Sequence, residues 1–305
     1  MLSPTRIRLI GFPIDLGADR RGVDMGPSAL RIADIDRKLE ELGYVVIDEG
    51  DIPIRNIEVQ ELNDTRLKYL PEVAEMSGVL CARVKLILDE GDFPIIIGGD
   101  HSMSIGSLAG VGAHCKEQNK TLGVIWVDAH ADMNTTETTP SGNIHGMPLA
   151  VAMGYGHPSL TSIGGAFPKL DPRNLAIIGL RSIDAGERTL IKDLGVAAYS
   201  MFDIDRMGMH EVMSRVLEDM ARSVDHLHIS FDVDGVDPSV APGVGTPVPG
   251  GLTFRETHMI MELISHIEAF ASFEVAEVNP ILDEHNKTAV FASDVVASCM
   301  GKRIL

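Results

Sequence analysis

The chain of 305 residues contains few cysteines, few aromatic residues and few basic residues. Its three cysteines, Cys81, Cys115 and Cys299, have no zinc-ligand spacing and leave an odd thiol in any disulfide scheme, so we expect reduced thiols. With 26 basic against 44 acidic side chains, the net charge of −18 argues against nucleic acid as a partner, because phosphate binding needs a basic surface. The acidic balance suits solubility or a cationic substrate, and a solvated acidic surface is the simpler interpretation.

Long hydrophobic segments are also missing. No segment is long enough to span a bilayer, and residues 1–17 have no secretory cleavage pattern. We therefore expect a cytoplasmic protein that does not contact membranes. The hydrophobic share of 45% is ordinary for a chain that buries a large core, and no linker divides it, which predicts a single domain over residues 1–305.

Short apolar segments alternate along the chain with longer segments of helical periodicity. This alternation predicts βαβ units, and hence a single three-layer α/β/α domain with a central, mostly parallel sheet. Most of the apolar segments lack polar residues, as is typical of strands that are buried on both faces. The predicted strands are 7–10, 44–47, 93–97, 122–127, 175–178, 226–231 and 273–278.

Two helices can be predicted from the residues at their ends. Residues 26–43 show helical apolar spacing between an opening Gly-Pro and a closing Gly, which predicts one helix over this segment. Thr253 and Glu256 have the spacing of a capping box, so a second helix is expected to begin there.

Acidic residues and histidines are concentrated in three motifs, each at the end of a predicted strand: GGDHS at 98–102, VDAHAD at 127–132 and SFDVDGVDP at 230–238. In open α/β sheets, ligands bind at the carboxyl ends of the strands. Alternate residues on an extended strand point to the same side, which would direct these side chains into one pocket. The candidate metal ligands are His101, Asp128, His130, Asp132, Asp232 and Asp234.

The composition of this group favours a pair of metal ions. Four neighbouring carboxylates would repel each other and take up protons unless cations balanced them, and two divalent ions balance four negative charges. Oxygen ligands with some imidazole suit manganese or magnesium better than structural zinc. We therefore expect two Mn²⁺ ions, with cobalt, nickel or iron as alternatives. Because a metal pair can activate water, the expected reaction is a hydrolysis.

Each motif alone also has a simpler interpretation. Asp100 and His101 could cap a helix, and an Asp-x-His-x-Asp segment could form hydrogen-bonded turns. Asp237, which precedes a proline, is typical of a turn and is not counted as a ligand. Three independent turns would not all need acids and histidines on one side, so the metal interpretation is favoured.

The motifs resemble those of the ureohydrolase family, and within it most closely those of the arginases. The resemblance covers essentially the whole chain, from IGFPIDLGADRRGVDMGPSALR near the start to EVNPILD near the end. It implies an arginase-like fold and the manganese-dependent hydrolysis of L-arginine to L-ornithine and urea by a metal-bridging hydroxide. It also implies a homo-oligomer, either a trimer or a hexamer, and bridging roles for Asp128 and Asp232.

The resemblance further implies roles for residues near the motifs. Asp132 would carry a proton to the leaving nitrogen, and His145 would relay protons to bulk water. Glu277 would receive the substrate guanidinium through two parallel hydrogen bonds. The other implied substrate contacts are Asn134 and Ser141 for the α-carboxylate, Asp184 and Glu187 for the α-ammonium group, and Thr246 in the lining of the site.

Other functions remain as alternatives. Agmatine, guanidinobutyrate and formiminoglutamate are substrates of other ureohydrolases, but agmatine lacks a carboxylate and gives Asn134 and Ser141 nothing to bind. Ser182 stands where vertebrate arginases commonly carry an acidic residue near the site of the α-ammonium group. A silent metal-binding scaffold is a second alternative. A dinucleotide-binding enzyme is disfavoured, because no strand is followed by a Gly-x-Gly-x-x-Gly turn.

Overall fold

The computed structural model describes residues 6–62 and 64–303. Within these residues the strands are β1 Arg6–Phe12, β2 Val45–Asp51, β3 Phe93–Gly98, β4 Leu122–Val127, β5 Leu175–Leu180, β6 Ala197–Ser200, β7 His226–Asp232 and β8 Phe270–Ala276. They form one sheet in the order β2-β1-β3-β8-β7-β4-β5-β6. Every pairing between neighbouring strands is parallel.

The helices of the described residues connect successive strands, except for the last one, which follows β8. They are α1 Gly26–Ile32, α2 Ile35–Glu40, α3 Leu70–Asp89, α4 Ser104–Glu117, α5 Pro148–Ala152, α6 Pro158–Thr161, α7 Ala185–Leu194, α8 Met201–Met207, α9 Met209–Met220, α10 Phe254–Ile264 and α11 Lys287–Cys299. Over the same residues, we find no helix with both the length and the apolar character that crossing a membrane requires.

Side chains from the central strands alternate between two hydrophobic layers. On β4, Ile125 and Val127 pack with residues of α1, α2, α9, α10 and α11. Val124 and Trp126 point to the opposite face, where residues of α3, α4 and α5 cover the sheet. Both faces of the sheet are therefore buried, which explains the uninterrupted apolar sequence of β3, β4 and β5. The predicted three-layer α/β/α class is confirmed.

The strand predictions were least accurate at the edges of the sheet. β6 was not predicted, because it is a four-residue edge strand, AAYS, without a run of apolar or β-branched residues. β2 continues to Asp51 through the polar residues DEGD, which its exposed position at the other edge allows. β8 begins at Phe270 and ends at Ala276, so Glu277 lies just beyond the strand and not within it.

One of the two helix predictions was wrong. Residues 26–43 form two helices, since Asp34 has a left-handed backbone with φ of 58° between α1 and α2. The other prediction is confirmed. α10 begins at Phe254, and the side chain of Thr253 accepts the backbone N–H of Glu256 at 3.2 Å.

Candidate metal centre and active site

The candidate site lies where the four central strands β3, β8, β7 and β4 end side by side. His101 follows β3, Asp128 follows β4, Asp232 is the last residue of β7 and Glu277 follows β8. Parallel strands present their carboxyl ends at one edge of the sheet, so residues far apart in the chain meet there. All four side chains are buried.

A first group of possible ligands surrounds the imidazole of His101. Its Nδ1 atom lies 3.0 Å from Oδ2 of Asp232, 3.1 Å from Oδ2 of Asp132 and 3.3 Å from Oδ2 of Asp128. The opposite ring nitrogen, Nε2, makes a 2.8 Å hydrogen bond with Oγ of Ser230. If Nε2 carries the proton, Nδ1 presents its lone pair to the carboxylates, as a metal-binding histidine does.

A second group lies beside the first and shares one residue with it. Nδ1 of His130 lies 3.1 Å from Oδ2 of Asp234 and 3.4 Å from Oδ1 of Asp128. The donor atoms of His101, Asp128 and Asp232 are close enough to hold one ion, and those of Asp128, His130 and Asp234 a second. Asp128 thus directs one oxygen toward each histidine, as a bridging carboxylate would.

Trp126, the penultimate residue of β4, orients members of the first group. Its Nε1 atom donates a 2.9 Å hydrogen bond to Oδ2 of Asp128. Its ring stacks on the ring of His101 with centroids 4.1 Å apart and an angle of 11° between the planes. The backbone N–H of His130 donates to the other Asp128 oxygen at 2.6 Å. Asp128 therefore has little freedom to rotate.

The predicted clustering of the acids is present, but its predicted cause was wrong. β4 ends at Val127, so residues 128–132 do not continue as an extended strand, and Asp132 has a left-handed φ of 49°. Asp234 lies in a 3₁₀ helix, Val233–Gly235, where its backbone N–H donates to Oδ1 of Asp232 at 2.7 Å. Turns, rather than strand alternation, bring these side chains together.

The electrostatics of the group favour a bound cation. Burial alone would lower the pKa of His101, but Asp128, Asp132 and Asp232 raise it well above its usual value. Burial opposes charge on His130 too, yet Asp234 and Asp128 raise its pKa to about 12. Without metal, protons on the imidazoles therefore offset the negative charge.

An unsatisfied atom tests whether a metal fits this group. Nδ1 of His101 is fully buried and makes no hydrogen bond of good geometry with any described residue, although three carboxylate oxygens surround it. Buried polar atoms without partners are rare in folded proteins. Carboxylate oxygens and imidazole nitrogens together are the donors that manganese accepts, so the residues present fit such an ion.

Glu277 and His145 form a pair next to the ligand groups. Oε1 of Glu277 accepts the backbone N–H of His101 at 3.0 Å and lies 3.0 Å from Nδ1 of His145. Among the described residues no donor bonds to Oε2, and Glu277 lines the cavity in front of the acids. Burial disfavours the charged imidazole, but the hydrogen bond to Glu277 raises the pKa of His145 to about 9.

A cleft of about 540 Å³, measured with its open mouth, lies in front of these residues. Of the predicted site residues it is lined by His130, Asp132, Asn134, Ser141, His145, Asp184, Glu187, Asp232, Asp234, Thr246 and Glu277. His101 and Asp128 are not among the lining residues and are almost fully buried. The predicted residues are therefore brought to one cleft, whereas their individual roles stay predictions.

Hydrogen bonds hold the predicted substrate contacts in place. Nδ2 of Asn134 donates to Oδ2 of Asp184 at 2.9 Å. Glu187 accepts the backbone N–H of Met133 at 3.0 Å and that of Asp184 at 2.8 Å, and burial raises the pKa of its carboxyl to about 7. Thr246 donates its hydroxyl to Oδ2 of Asp234 at 2.7 Å, so it contacts a candidate ligand as well as the cleft.

Two acids of the motifs take part in turns. Oδ1 of Asp100 accepts the N–H of Ser102 at 2.9 Å, which confirms the capping interpretation for this residue. Asp237 accepts the N–H groups of Ser239 at 3.0 Å and Gly250 at 2.8 Å, as a turn residue does. Neither belongs to the two ligand groups.

Sequence reasoning missed several residues of the site. Trp126 and Ser230 support His101 from within the strands, where they look like ordinary core positions. Asn143 lines the cleft and accepts a 2.8 Å hydrogen bond from Nζ of Lys68. Its place between Ser141 and His145 in one loop was the available signal.

Comparison with known proteins adds an independent finding. The sequence model of the arginase family matches residues 5–301. The arginase of Bacillus caldovelox is 51% identical over 300 residues, covering 98% of this chain and 99% of that protein. The crystal structure of arginase from Bacillus cereus has a TM-score of 0.93 at 49% identity, covering 98% of this chain and all of that chain. Arginase from Entamoeba histolytica in complex with L-ornithine has a TM-score of 0.90 at 34% identity, covering 99% and 100%.

Proposed function

The chain belongs to the arginase family of hydrolases, and on that premise we propose that it hydrolyses L-arginine to L-ornithine and urea with two Mn²⁺ ions. The observation that carries the proposal is the pair of histidine and carboxylate groups that share Asp128, next to the cleft that Glu277 lines. The complex of the Entamoeba histolytica relative with L-ornithine supports ornithine as a product.

Six residues would hold the two ions. His101, Asp128, Asp132 and Asp232 surround one position, and Asp128, His130 and Asp234 surround the other. We keep a bridging role for Asp232 as part of the proposal. Two bound Mn²⁺ ions would balance the four carboxylates and lower the pKa of a water molecule so that it can attack a carbon at neutral pH.

The cleft can orient a guanidinium next to this centre. Oε2 of Glu277, to which no donor in the described part of the chain bonds, would accept N–H groups of the substrate in a charge-assisted hydrogen bond. Asn134 and Ser141 would contact the α-carboxylate, while Asp184 and Glu187 would lie near the α-ammonium group. A cleft rich in carboxylates suits a cationic substrate. Binding both ends of arginine would fix its guanidino carbon beside the ligand groups.

Two residues would handle protons. Asp132 lines the cleft, and burial together with the charge of Asp128 raises its pKa to about 6. It would pass a proton to the nitrogen that leaves as the amine of ornithine. His145 is a partly exposed residue at the same cleft and would relay protons to bulk water.

The proposal extends to the domain organisation, the oligomeric state and the cellular location of the protein. We expect a single-domain chain that forms a trimer or a hexamer in the cytoplasm. The support is the family membership and the three free cysteines, Cys81, Cys115 and Cys299, all of which are buried. Light scattering on the purified protein measures the oligomeric state directly.

Urea release by metal-stripped protein reconstituted with Mn²⁺ tests the function. Urea release is compared for L-arginine, agmatine and guanidinobutyrate, and formamide release is measured for formiminoglutamate, whose hydrolysis yields no urea. We expect strong preference for L-arginine and loss of turnover in Asp128→Ala. Preference for agmatine would keep the metal site but contradict carboxylate recognition by Asn134 and Ser141, and preference for guanidinobutyrate, which lacks the amine, would contradict the proposed role of Asp184. Absence of turnover with every substrate at full Mn²⁺ occupancy would support a metal-binding scaffold instead.

A further inference from the structure

A buried carboxylate without a role in the proposed mechanism lies behind the candidate metal centre. Glu274, in the middle of β8, is fully buried. Oε1 accepts the hydroxyl of Ser104 at 2.6 Å, and Oε2 accepts the hydroxyl of Ser107. Nε2 of His228 lies 3.4 Å from Oε1. Desolvation by burial opposes the charge of Glu274, but His228, His101 and the hydroxyl of Ser104 lower its pKa to about 2.

Glu274 connects three of the elements that carry the site. Ser104 and Ser107 belong to the first turn of α4, which begins directly after the 3₁₀ helix His101–Met103. His228 belongs to β7, which ends at Asp232, and Glu274 itself precedes Glu277 by three residues. One carboxylate therefore ties the start of α4 to both strands.

Glu274 is also the strand neighbour of a residue on the far side of His101. In the parallel register of β7 and β8, Glu274 pairs with Ser230. Ser230 is the residue whose hydroxyl bonds to Nε2 of His101. His101 is thus held from two directions, by the α4 turn that follows it and by the strand neighbour of Glu274.

The hydrogen bonds among His226, Ser272 and His228 are consistent with a charge at Glu274. Ser272 lies 3.0 Å from Nε2 of His226 and 2.8 Å from Nδ1 of His228. If His226 donates to Ser272 and Ser272 donates to Nδ1 of His228, then Nε2 of His228 carries a proton and lies 3.4 Å from Oε1 of Glu274, without the alignment of a hydrogen bond. In this arrangement the nitrogen of His228 that faces the carboxylate is a donor and not an acceptor.

Packing alone does not explain this arrangement. A buried carboxylate is costly unless it is paired, and well-packed apolar residues often stabilise a core as much or more. In the row of paired positions Ile96, Glu274, Ser230 and Trp126, the two outer residues are apolar and belong to the hydrophobic layer. We propose that Glu274 is a positioning residue of the candidate metal centre, which clamps the first turn of α4 and thereby holds His101 in place to bind a divalent cation. This inference rests on the proposed function.

Titration of the metal-stripped protein with Mn²⁺, followed by the electron paramagnetic resonance signal of free Mn²⁺, tests the inference without turnover. We expect Glu274→Gln to weaken Mn²⁺ binding by about tenfold or more, the range found when groups that orient metal ligands are changed. Excess Mn²⁺ should return kcat/KM to the wild-type value, because Glu274 does not contact the substrate.

A matched pair of serine variants separates positioning from stability. Ser104→Ala removes one buried helical hydroxyl that bonds to Glu274. Ser298→Ala removes a buried helical hydroxyl in α11, which bonds to Nδ1 of His258 at 2.8 Å on the opposite face of the sheet. We expect weaker Mn²⁺ binding only in Ser104→Ala. This pair also decides the question if Glu274→Gln does not fold.

Three results would overturn the inference. Wild-type Mn²⁺ affinity in folded Glu274→Gln would refute the positioning role alone. An equal loss of affinity in Ser104→Ala and Ser298→Ala would show a general effect of stability. Failure of the wild-type protein to bind Mn²⁺ would instead refute the proposed metal centre, and the positioning role with it.

Discussion

Replacement of Glu277 by glutamine should abolish most of the activity, for a reason that the hydrogen bonds make specific. Oε1 of Glu277 already faces two groups, the backbone N–H of His101 and Nδ1 of His145, each at 3.0 Å. In Glu277→Gln the amide oxygen would stay with these donors. The amide NH₂ would then occupy the position of Oε2 and direct its hydrogens toward the cleft, where a guanidinium has only donors to offer.

The size of the effect follows from the burial of Glu277, which is 2% exposed. Removal of one partner from a buried, hydrogen-bonded charge pair costs roughly 2–5 kcal/mol. At about 1.4 kcal/mol per factor of ten, this corresponds to a loss of roughly 30- to 5,000-fold in kcat/KM. Because the amide also repels the substrate, we expect the upper part of this range, roughly a thousandfold.

Urea release from L-arginine at measured, equal Mn²⁺ occupancy is the assay. Glu117→Gln is the control, since Glu117 is the last residue of α4 and its side chain is largely exposed. We expect the control to match the wild type. If Glu277→Gln kept more than about a tenth of the wild-type kcat/KM, a loss below 1.4 kcal/mol, Glu277 would not bind the guanidinium.

Three further predictions concern specificity and protonation. Asn134→Ala should lower kcat/KM for L-arginine by roughly 10- to 100-fold, the effect of losing a hydrogen bond to a charged group. The loss in kcat/KM for agmatine, which has no carboxylate, should be much smaller. Equal losses for the two substrates would contradict carboxylate recognition. Because His130 has its pKa raised to about 12 without metal, Mn²⁺ binding at pH 7 should release protons, which calorimetry in buffers of different ionisation enthalpy measures. In metal-free protein, the pKa of His145 is raised to about 9, so its protonated ring stabilises the fold through Glu277. This contribution to the free energy of unfolding is complete below pH 6.5 and is lost as pH rises through 9. The deficit in unfolding free energy of His145→Gln should therefore shrink over that interval, and a constant deficit would contradict the Glu277 contact.

The central part of the fold was predictable from sequence, and the edges were not. β3, β4 and β5 are buried along their whole length, so their apolar composition sets them apart from the helices. β6 has one neighbour and is only partly buried, so burial placed little demand on its sequence. The break at Asp34 carried no glycine or proline to mark it. Apolar sequence patterns indicate buried strands, and they are least informative for strands that are only partly buried.

The candidate site was predictable to the extent that its residues follow strands. The three motifs mark the ends of β3, β4 and β7, and the rule for parallel sheets then brings them to one edge. The supporting contacts depend on which strands are neighbours. Ser230 and Glu274 come together through the pairing of β7 and β8, and the strand order β3-β8-β7-β4 cannot be read from the chain. Ordinary core positions thus acquire a supporting role only through topology.

The backbone at Glu277 links the fold to the proposed chemistry. Glu277 has a left-handed φ of 65°, a conformation that costs a residue other than glycine of order 1 kcal/mol or more. Its N–H donates to the carbonyl of Gly99 at 2.8 Å, within the motif that carries His101. Glycine at 277 would remove the strain, but also the carboxylate that faces His145 and the cleft. The strain at this residue is therefore best explained by the position that it gives to the carboxylate, and not by the stability of the turn.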